Sequence, residues 1–498
     1  MSFSTDGRAV LAIDAGTTGV TALVVDDTGA VRSRGYEEFP QHFPRPGWVE
    51  HEPETIWQAA LSACRQAIAA AGSARNITAV GLTNQRETAV LWDRTTLAAP
   101  RRAVVWQDRR SAAICDRLRE QGHEDRVREL TGLRFDPYFT GTKLTWLTEN
   151  DPTSWAGVTS GAVAVGTVDS YLIARLTGGA LHVTDASNAS RTLLFDISAG
   201  DWSDELCDLL NVPRSALPRV VPSYGEIGRT SPDDFLGLDL PIAGIAGDQQ
   251  AALFGQACFA AGESKCTYGT GSFVLVNTGT SIERSDDGLL STVAWMAPSG
   301  ELTYALEGAI FVTGSAIQWL RDGVGLIGKA SESEALAATV PDSDGVVFVP
   351  ALTGLGAPDW DPSARGTVLG ITRGTTRAHL VRATLDAIAF EVRDVVQLLP
   401  RITTLRVDGG ASANNLLMQL QADTLGMPVE RPEVLETTGL GAAFLAGLGH
   451  GVWASTDELA QTWSINRRFE PRGEVSVREA SYRRWRKAVE RAKGWDVE

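Results

Sequence analysis

Short apolar runs alternate with longer amphipathic stretches along the whole chain, which is typical of an α/β protein. Apolar runs at residues 10–13, 78–83 and 242–246 predict buried strands, and polar residues follow each of them. Residues 52–71 predict a helix, with a proline in its first turn, apolar residues on one stripe and a glycine after its end. We therefore expect the functional residues where the strands end, at one edge of a sheet.

Two turns of small residues, half a chain apart, each join a pair of predicted strands. Asp14 ends the strand at 10–13, and the letters A-G-T-T-G precede the strand at 22–25. The strand at 265–268 leads into G-T-G-S, and the strand at 273–276 follows. Such turns either direct backbone N–H groups and hydroxyls at a phosphate or are plain hairpin turns. Their recurrence favours duplicated domains facing each other across a nucleotide, although a chain with 50 glycines also allows a chance match.

Polar residues follow the strand at 242–246 and lead directly into another apolar pattern. Asp248, Gln249 and Gln250 stand where a strand-to-helix turn opens onto a crevice, and residues 251–254 begin a helical pattern. A carboxylate at such a place binds a metal or accepts a proton, while the alternative is an ordinary helix N-cap. We interpret Asp248 as the residue around which the site is organised.

An arginine and a glutamate stand side by side at the end of another strand. Arg86 and Glu87 offer a fork of donors beside acceptor oxygens, which suits the hydroxyls of a polyol; a surface salt-bridge network is the alternative. Trp106, Tyr138 and Phe273 could form apolar walls against a carbon chain, although aromatic residues more often fill cores. Positions at strand ends favour the pocket for Trp106 and Phe273.

Two further segments of the second half carry weaker signals. A strand at 405–407 runs into Asp408 and a pair of glycines before a helix that begins at about residue 416. Glycines at a helix start let a flat ring or a phosphate approach the backbone, although such turns are common. Residues 481–493 place aromatic and apolar side chains on one stripe opposite arginines, which predicts a terminal helix docked on its own domain rather than on a membrane surface.

Length and composition fit a soluble globular protein of two large domains, which we place at residues 1–257 and 258–498. A net charge of -16 argues against nucleic acid or an anionic membrane as the main partner. Five scattered cysteines indicate reduced thiols, and six dispersed histidines form no zinc pattern, so oxygens would bind any metal. No apolar run suits a membrane span or a signal peptide, so we expect a cytoplasmic location.

Several motifs resemble the FGGY carbohydrate kinases over almost the whole chain, and within that family the members that act on glycerol. They are P-G-W-V-E-H at 46–51, T-N-Q-R-E-T at 83–88, V-T-D and N-A-S-R-T within 183–192, G-D-Q-Q-A-A-L-F-G-Q at 247–256 and L-T-G-L-G-A-P at 352–358. Residues 138–150 and 366–386 resemble the two signature patterns of the wider family. The resemblance implies two duplicated actin-like (ribonuclease H-like) domains that flank a deep cleft.

The same resemblance implies transfer of the γ-phosphoryl group of ATP to glycerol, with Mg²⁺. The N-terminal domain would carry most of the polyol site, which comprises Arg86, Glu87, Trp106, Tyr138, Asp248, Gln249 and Phe273. Asp248 would be the general base, and Asp14 and Asp248 would position the metal through water. The C-terminal domain would carry most of the nucleotide site, which comprises Thr17, Thr18, Gly19, Thr270, Gly314, Gln318, Gly410 and Asn414.

Departures from the family pattern change what we expect. Members that act on glycerol usually have Ser-Ser-Arg where this chain has Gly19, Val20 and Thr21, so we expect weaker catalysis or compensation by another cation. The acidic loop 230–240 lacks the Gly-Arg pair through which some relatives bind fructose 1,6-bisphosphate. Val477 stands where others offer a glutamate to a phosphotransferase-system protein, so we expect neither form of regulation.

Two alternatives stay open at the level of the sequence. One is a kinase of another small polyol or sugar, which would need a wider pocket than the aromatic walls indicate. The other is a weakly active relative that binds nucleotide and polyol as a sensor. Thr21 supports this interpretation, because it stands where the family usually has an arginine. Asp14, Asp248, Arg86 and Glu87 favour an enzyme. Whether the chain assembles into a homodimer or a homotetramer stays open as well.

Overall fold

The computed structural model describes residues 7–496, which fold around two large mixed β-sheets, so the predicted domain limits at residues 1 and 498 lie outside the described part. The first sheet contains β1 Ala9–Ala15, β2 Gly19–Asp26, β3 Val31–Glu38, β4 Ile77–Asn84, β5 Tyr224–Arg229 and β6 Pro241–Gly247. Their order across the sheet is β5-β6-β4-β1-β2-β3. The second sheet contains β7 Ser264–Tyr268, β8 Ser272–Gly279, β9 Leu290–Met296, β10 Leu302–Ile310, β11 Leu405–Asp408, β12 Val429–Pro432 and β13 Ile465–Phe469. Their order across the sheet is β9-β10-β8-β7-β11-β12-β13.

The two sheets repeat one arrangement of strands. β1 and β2 form an antiparallel hairpin beside the parallel strand β4. In the second sheet, β7 and β8 form an antiparallel hairpin beside the parallel strand β11. β1 and β2 are apolar on both faces because both faces are covered: Leu11 and Val24 pack into one core, and Val10 and Leu23 pack into another. The predicted α/β fold with a repeated strand–turn–strand unit is confirmed.

Helices cover the sheets and connect the strands. They are α1 Pro53–Ala71, α2 Ala112–Glu120, α3 Glu124–Thr131, α4 Thr140–Asn150, α5 Pro152–Thr159, α6 Val168–Leu176, α7 Ala186–Ala189, α8 Asp204–Leu209, α9 Asp248–Gly255, α10 Gly314–Gln318, α11 Glu332–Ala337, α12 Arg377–Val396, α13 Asn415–Leu425, α14 Thr437–Gly449, α15 Thr456–Thr462 and α16 Val475–Ala492. Small sheets pair Gln41–His42, Glu50–His51 and Ala103–Val104, Val90–Asp93 with Val163–Gly166, Val183–Asp185 with Arg219–Val221, Phe195–Asp196 with Asp201–Trp202, and Val347–Val349 with Thr367–Leu369.

Helix α14 comes from the second half of the chain but packs across the first sheet and against α9. Glycines make this close packing sterically possible. A Cβ on Gly81 of β4 would lie 2.1 Å from the carbonyl oxygen of Ala442, and a Cβ on Gly441 would lie 1.8 Å from that of Ala251 in α9. Because α9 also contacts β7 and β8, the pair of helices joins the two sheets at the base of the space between them, which we call the cleft.

The predicted helices are observed, with one difference in extent. The helix predicted at 52–71 is α1, and its terminal Gly72 has the left-handed backbone that favours glycine, at φ 85°. The terminal helix begins earlier than predicted, at Val475, because its first turns expose their apolar side chains and give no stripe to detect. Trp485 and Val489 are buried against the same half, as predicted. None of the helices in residues 7–496 combines the length and apolar character that crossing a bilayer requires.

Candidate active site

The carboxyl ends of β1, β4 and β6 meet at one edge of the first sheet. These strands are parallel neighbours, and both Asp14 and Ala246 lie opposite Thr83 in the register. The residues that follow β4 and β6, including Arg86 and Asp248, are therefore delivered to the same place. Asp248 is the first residue of α9 and the glycine before it is the N-cap, so the alternative of an ordinary capping aspartate is wrong.

Arg86 is buried and contacts several side chains of the site at once. Its Nε lies 3.1 Å from Oδ1 of Asp248, and its Nη2 donates to the hydroxyl of Tyr138 over 3.3 Å. Nη1 donates to the amide oxygen of Gln250 over 3.2 Å. Both terminal nitrogens also donate to the carboxylate of Glu307, on β10. The guanidinium thus links strands of both large sheets at the cleft.

Arg86 and Glu87 belong to a buried cluster of four charges, which excludes the alternative of a surface salt-bridge network. Arg191 donates to Oε1 of Glu87 and to Oε1 of Glu307, each over 2.8 Å. All four side chains are at most 2% exposed. Burial raises the pKa of Glu87, whereas Arg191 and Arg86 overcome the effect of burial and lower the pKa of Glu307.

The backbone of Glu87 is left-handed, with φ 61°. This conformation costs a non-glycine residue about 1 kcal/mol and occurs preferentially at functional sites. The hydroxyl of Thr140, at the start of α4, donates to the carbonyl of Glu87 over 3.1 Å. The cluster and this hydrogen bond together hold the glutamate in its strained position.

The three aromatic side chains predicted as pocket walls lie near one another, and Tyr138 and Phe273 contact Arg86. The ring centroids of Trp106 and Tyr138 are 5.7 Å apart, and those of Trp106 and Phe273 are 6.4 Å apart. The guanidinium of Arg86 lies 5.6 Å from the centre of the Phe273 ring. Trp106 also donates from Nε1 to the hydroxyl of Thr17 over 2.9 Å, which joins these walls to the first Gly-Thr turn. A cavity of about 60 Å³ adjoins Trp106 and Tyr138.

Two carboxylates act on one another at this edge of the sheet. Burial and, as a smaller contribution, the negative charge of Asp248 raise the pKa of Asp14 to about 8. Burial also raises the pKa of Asp248, although the positive charges of Arg86 and Lys265 oppose that shift. The backbone N–H of the next residue donates to Oδ1 of Asp248 over 2.7 Å and fixes the carboxylate.

This pair of carboxylates fits a hydrated Mg²⁺ ion. Magnesium is bound in proteins by one or two carboxylates together with water and substrate phosphates. The hydroxyl of Thr83, opposite Asp14 in the register, is buried without a hydrogen-bond partner among the described residues, as expected beside a bound water. No larger cluster of acidic, histidine or cysteine side chains in residues 7–496 is arranged for a metal ion.

The first Gly-Thr turn closes β1 onto β2. The N–H of Gly16 donates to the carbonyl of Gly19 over 3.0 Å, with Thr17 half-buried and Thr18 exposed between them. A Cβ on Gly19 would lie 2.8 Å from the hydroxyl oxygen of Tyr36 on β3. The ring of Tyr36 therefore lies against the turn, and only a glycine leaves room for it.

A cavity of about 500 Å³ lies beside the second Gly-Thr turn. The five residues predicted for the nucleotide in the second half all line it, namely Thr270, Gly314, Gln318, Gly410 and Asn414. Gly314 lies so close to the turn that a Cβ there would be 2.6 Å from the carbonyl oxygen of Gly269. Asn414 is the N-cap of α13 and accepts from the N–H of Leu417. The structure thus brings these five positions together around one space.

Three buried charged residues of the site were not assigned a role from the sequence. Arg191 and Glu307 complete the charge cluster, and Lys265 donates to the side-chain oxygens of Gln249 and Thr267. The sequence contained a signal for two of them, because Glu307 and Lys265 are the single charged residues of otherwise uncharged strands. A charge in such a strand indicates a paired or functional group.

Comparison with known sequences identifies the family. The N-terminal domain of the FGGY family of carbohydrate kinases matches residues 9–255, and its C-terminal domain matches residues 264–450. A protein of Aromatoleum aromaticum named glycerol kinase is 56% identical over 98% of this chain and 99% of its own length. A Thermotoga maritima protein named glycerol kinase 2 is 53% identical over 98% of this chain and 99% of its own length.

Comparison with solved structures agrees with this assignment. The crystal structure of Plasmodium falciparum glycerol kinase with ADP superimposes with a TM-score of 0.89 at 33% identity, covering 99% of each chain. A gluconate kinase from Lactobacillus acidophilus shares the fold at 20% identity, with a TM-score of 0.85 over 98% of this chain and 97% of that one. The motifs, the repeated sheets and these relatives agree: the chain belongs to the FGGY family of carbohydrate kinases.

Proposed function

We propose that this kinase transfers the γ-phosphoryl group of ATP to glycerol and forms sn-glycerol 3-phosphate. The observation that carries the proposal is the 3.1 Å contact between Arg86 and Asp248, because it brings the proposed base next to the guanidinium proposed to bind the polyol. The names of the relatives that are more than half identical over the full length support the same substrate pair.

The residues around Arg86 suit a short polyol. Arg86 and Tyr138 offer donors, Glu87 offers acceptor oxygens, and Gln249 offers an amide, so adjacent hydroxyls find partners of both kinds. Trp106 and Phe273 would cover the carbon chain. The Trp106 and Phe273 rings stand 6.4 Å apart between their centroids, and such close walls favour a three-carbon substrate over a sugar.

Asp248 is the proposed general base. It would take the proton of the attacking hydroxyl while the oxygen–phosphorus bond forms, and a carboxylate does so when it lies within hydrogen-bond reach. Burial raises its pKa and so makes it a better proton acceptor than an exposed aspartate, while the positive charges of Arg86 and Lys265 oppose that shift. Arg86 orients both the base and the substrate, because its fork contacts the carboxylate and Tyr138 at once.

The nucleotide would lie between the two Gly-Thr turns. Thr17, Thr18 and Gly19 would contact its phosphates from the first turn, and Thr270 from the second. The base and ribose would occupy the cavity beside Gly314, Gln318, Gly410 and Asn414. Asp14 and Asp248 would hold Mg²⁺, which neutralises charge on the transferring phosphoryl group. Closure of the cleft would exclude water and align the two substrates.

An ATP-coupled assay over glycerol, dihydroxyacetone, erythritol and pentuloses tests the proposal. We expect glycerol to give the highest kcat/KM, and Asp248→Asn to lower kcat on glycerol by roughly 10²–10⁴-fold. An exposed aspartate outside the residues proposed for the site, changed in Asp204→Asn, is the matched control and should retain full activity. If glycerol is not turned over while ATP still binds, the sensor interpretation gains; a higher kcat/KM for a pentulose would identify a kinase of another sugar.

A further inference from the structure

We propose that Arg34 is a phosphate-binding residue of the cleft, and that Glu436 holds its guanidinium when no nucleotide is bound. The inference rests on the proposed use of ATP but concerns a residue outside the two Gly-Thr turns. Arg34 lies on β3, the edge strand of the first sheet, and Glu436 immediately precedes α14.

The register of the first sheet places Arg34 on the same face as Asp14, which is the face that α14 covers. Asp14 lies opposite Thr21, and Thr21 lies opposite Tyr36, so these three side chains form a row on one face. Arg34 is two residues from Tyr36 and therefore points to the same face. Its partner in the register is Leu23, which contacts α14 at a glycine of that helix.

The side chain of Arg34 is directed towards the first Gly-Thr turn. The hydroxyl end of the Tyr36 ring lies against Gly19 in that turn. The guanidinium of Arg34 lies 5.1 Å from the centre of the same ring, in the range of a cation–π contact. Arg34 itself lies opposite Leu23 in the register. Because its guanidinium stacks on the ring of Tyr36, the positive charge is displaced along the sheet towards Thr21 and Asp14.

The present partner of Arg34 is one that a phosphate can replace. Nε of Arg34 lies 3.2 Å from Oε1 of Glu436, and the two side chains are 46% and 49% exposed. Exposed ion pairs of this kind contribute little free energy, whereas a guanidinium binds a phosphate through charge-assisted hydrogen bonds.

The other cations near the two carboxylates are already committed. Arg86 is held by Glu307 and Asp248 and is 2% exposed. Lys265 is fully buried and donates to Gln249 and Thr267. Thr21 carries no charge. Arg34 shares the sheet face of Asp14 and its side chain is 46% exposed, so we assign to it the compensation expected from the sequence.

Nucleotide binding measured by calorimetry, together with steady-state kinetics, tests this role. We expect Arg34→Gln to weaken ATP and ADP binding about tenfold and to raise the KM for ATP, with the KM for glycerol unchanged. Glu436→Gln should tighten ATP binding, because it removes the competitor for the guanidinium. Arg32→Gln is the matched control, since it removes a guanidinium from the same strand that is paired with Asp26, and it should leave nucleotide affinity unchanged.

A rescue experiment separates binding from a merely structural role. The double variant Arg34→Gln with Thr21→Arg places a guanidinium directly opposite Asp14 and should restore ATP affinity. Unchanged nucleotide affinity in Arg34→Gln would overturn the proposal, and so would a loss that Thr21→Arg does not reverse. Because the binding measurement needs no turnover, a wild-type chain that binds ATP but does not phosphorylate glycerol refutes the proposed reaction and leaves this test intact.

Discussion

At the scale of single residues, Glu307 decides how the substrate-binding arginine is held. It accepts from Arg86 and Arg191, both of which are buried, and so compensates two positive charges inside the protein. Breaking such a buried pair leaves an uncompensated charge and costs on the order of 3–5 kcal/mol. The role of Arg86 in the site therefore depends on a residue that does not itself face the proposed phosphates.

We expect Glu307→Gln to raise the KM for glycerol at least tenfold, because Arg86 loses the acceptor that fixes its fork. The KM for ATP should stay near the wild-type value, and thermal unfolding should occur at a lower temperature. Steady-state kinetics with each substrate varied in turn provide the measurement. Glu470→Gln, which alters an exposed ion pair, is the control. An unchanged KM for glycerol in Glu307→Gln would show that Arg86 is positioned by its other contacts.

At the scale of secondary structure elements, the contact between α9 and α14 fixes the position of the helix that begins with Asp248. α9 begins with Asp248, and α14 lies so close to it that Gly441 touches the backbone of Ala251. A displacement of α14 would therefore move the proposed base. The same helix begins beside Glu436, which links this contact to the proposed Arg34 site.

We expect Gly441→Ala to destabilise the protein by about 3 kcal/mol, because the added Cβ would lie 1.8 Å from the carbonyl oxygen of Ala251. The higher helix propensity of alanine offsets only about 1 kcal/mol of this. Urea unfolding measures the free energy, and Gly374→Ala, at a site where the nearest atom is 3.7 Å away, serves as the control. Equal stability of the two variants would contradict the close packing of α9 and α14.

The start of α6 contains a buried carboxyl whose charge opposes folding. Burial raises the pKa of Asp169 to about 6, although the hydroxyls of Thr167 and Thr184 donate to it. Because the folded state binds this proton more tightly than the unfolded state, the stabilisation is complete below about pH 4 and is lost as the pH rises through about 6. The window of interest therefore lies between pH 4 and pH 6.

We expect the stability of Asp169→Asn relative to the wild type to increase across this window by on the order of 2–3 kcal/mol. Denaturant unfolding at a series of pH values measures the difference, and Asp93→Asn, at a turn on the surface, provides a comparison. A difference between Asp169→Asn and the wild type that does not change from pH 4 to pH 7 would mean that Asp169 is ionised throughout.

At the scale of the whole molecule, the negative charge of the surface loop after β5 is relevant to regulation by anionic ligands. The loop at 230–240 exposes three carboxylates, and one of them, Asp239, pairs with Arg229. Negative charge of this kind repels an anionic ligand. We expect millimolar fructose 1,6-bisphosphate to leave the rate of glycerol phosphorylation unchanged in a coupled assay. Saturable inhibition by the bisphosphate, absent with the same concentration of sulfate, would contradict this expectation.

Much of the architecture followed from local patterns in the sequence. The strands and turns were predictable because apolar runs and small-residue turns are encoded within a few neighbouring positions. The start of α16 was not predictable, since Val475 and Val477 are exposed and give no amphipathic stripe. The partners of Arg86 were not predictable either, because Glu307 lies 221 residues away from it in the chain.

The sequence by itself determined the two Gly-Thr hairpins, the polar residues at the strand ends and the motifs of the FGGY family. Only the tertiary structure decided that Arg86, Glu87, Arg191 and Glu307 form one buried cluster, and that Arg34 stands beside Glu436 at the cleft. The physical reason is that turns and periodicity depend on adjacent residues, whereas the pairing of charges depends on how packing brings distant strands together. A residue type at a strand end indicates its chemistry, but its neighbours in space determine its protonation, orientation and role.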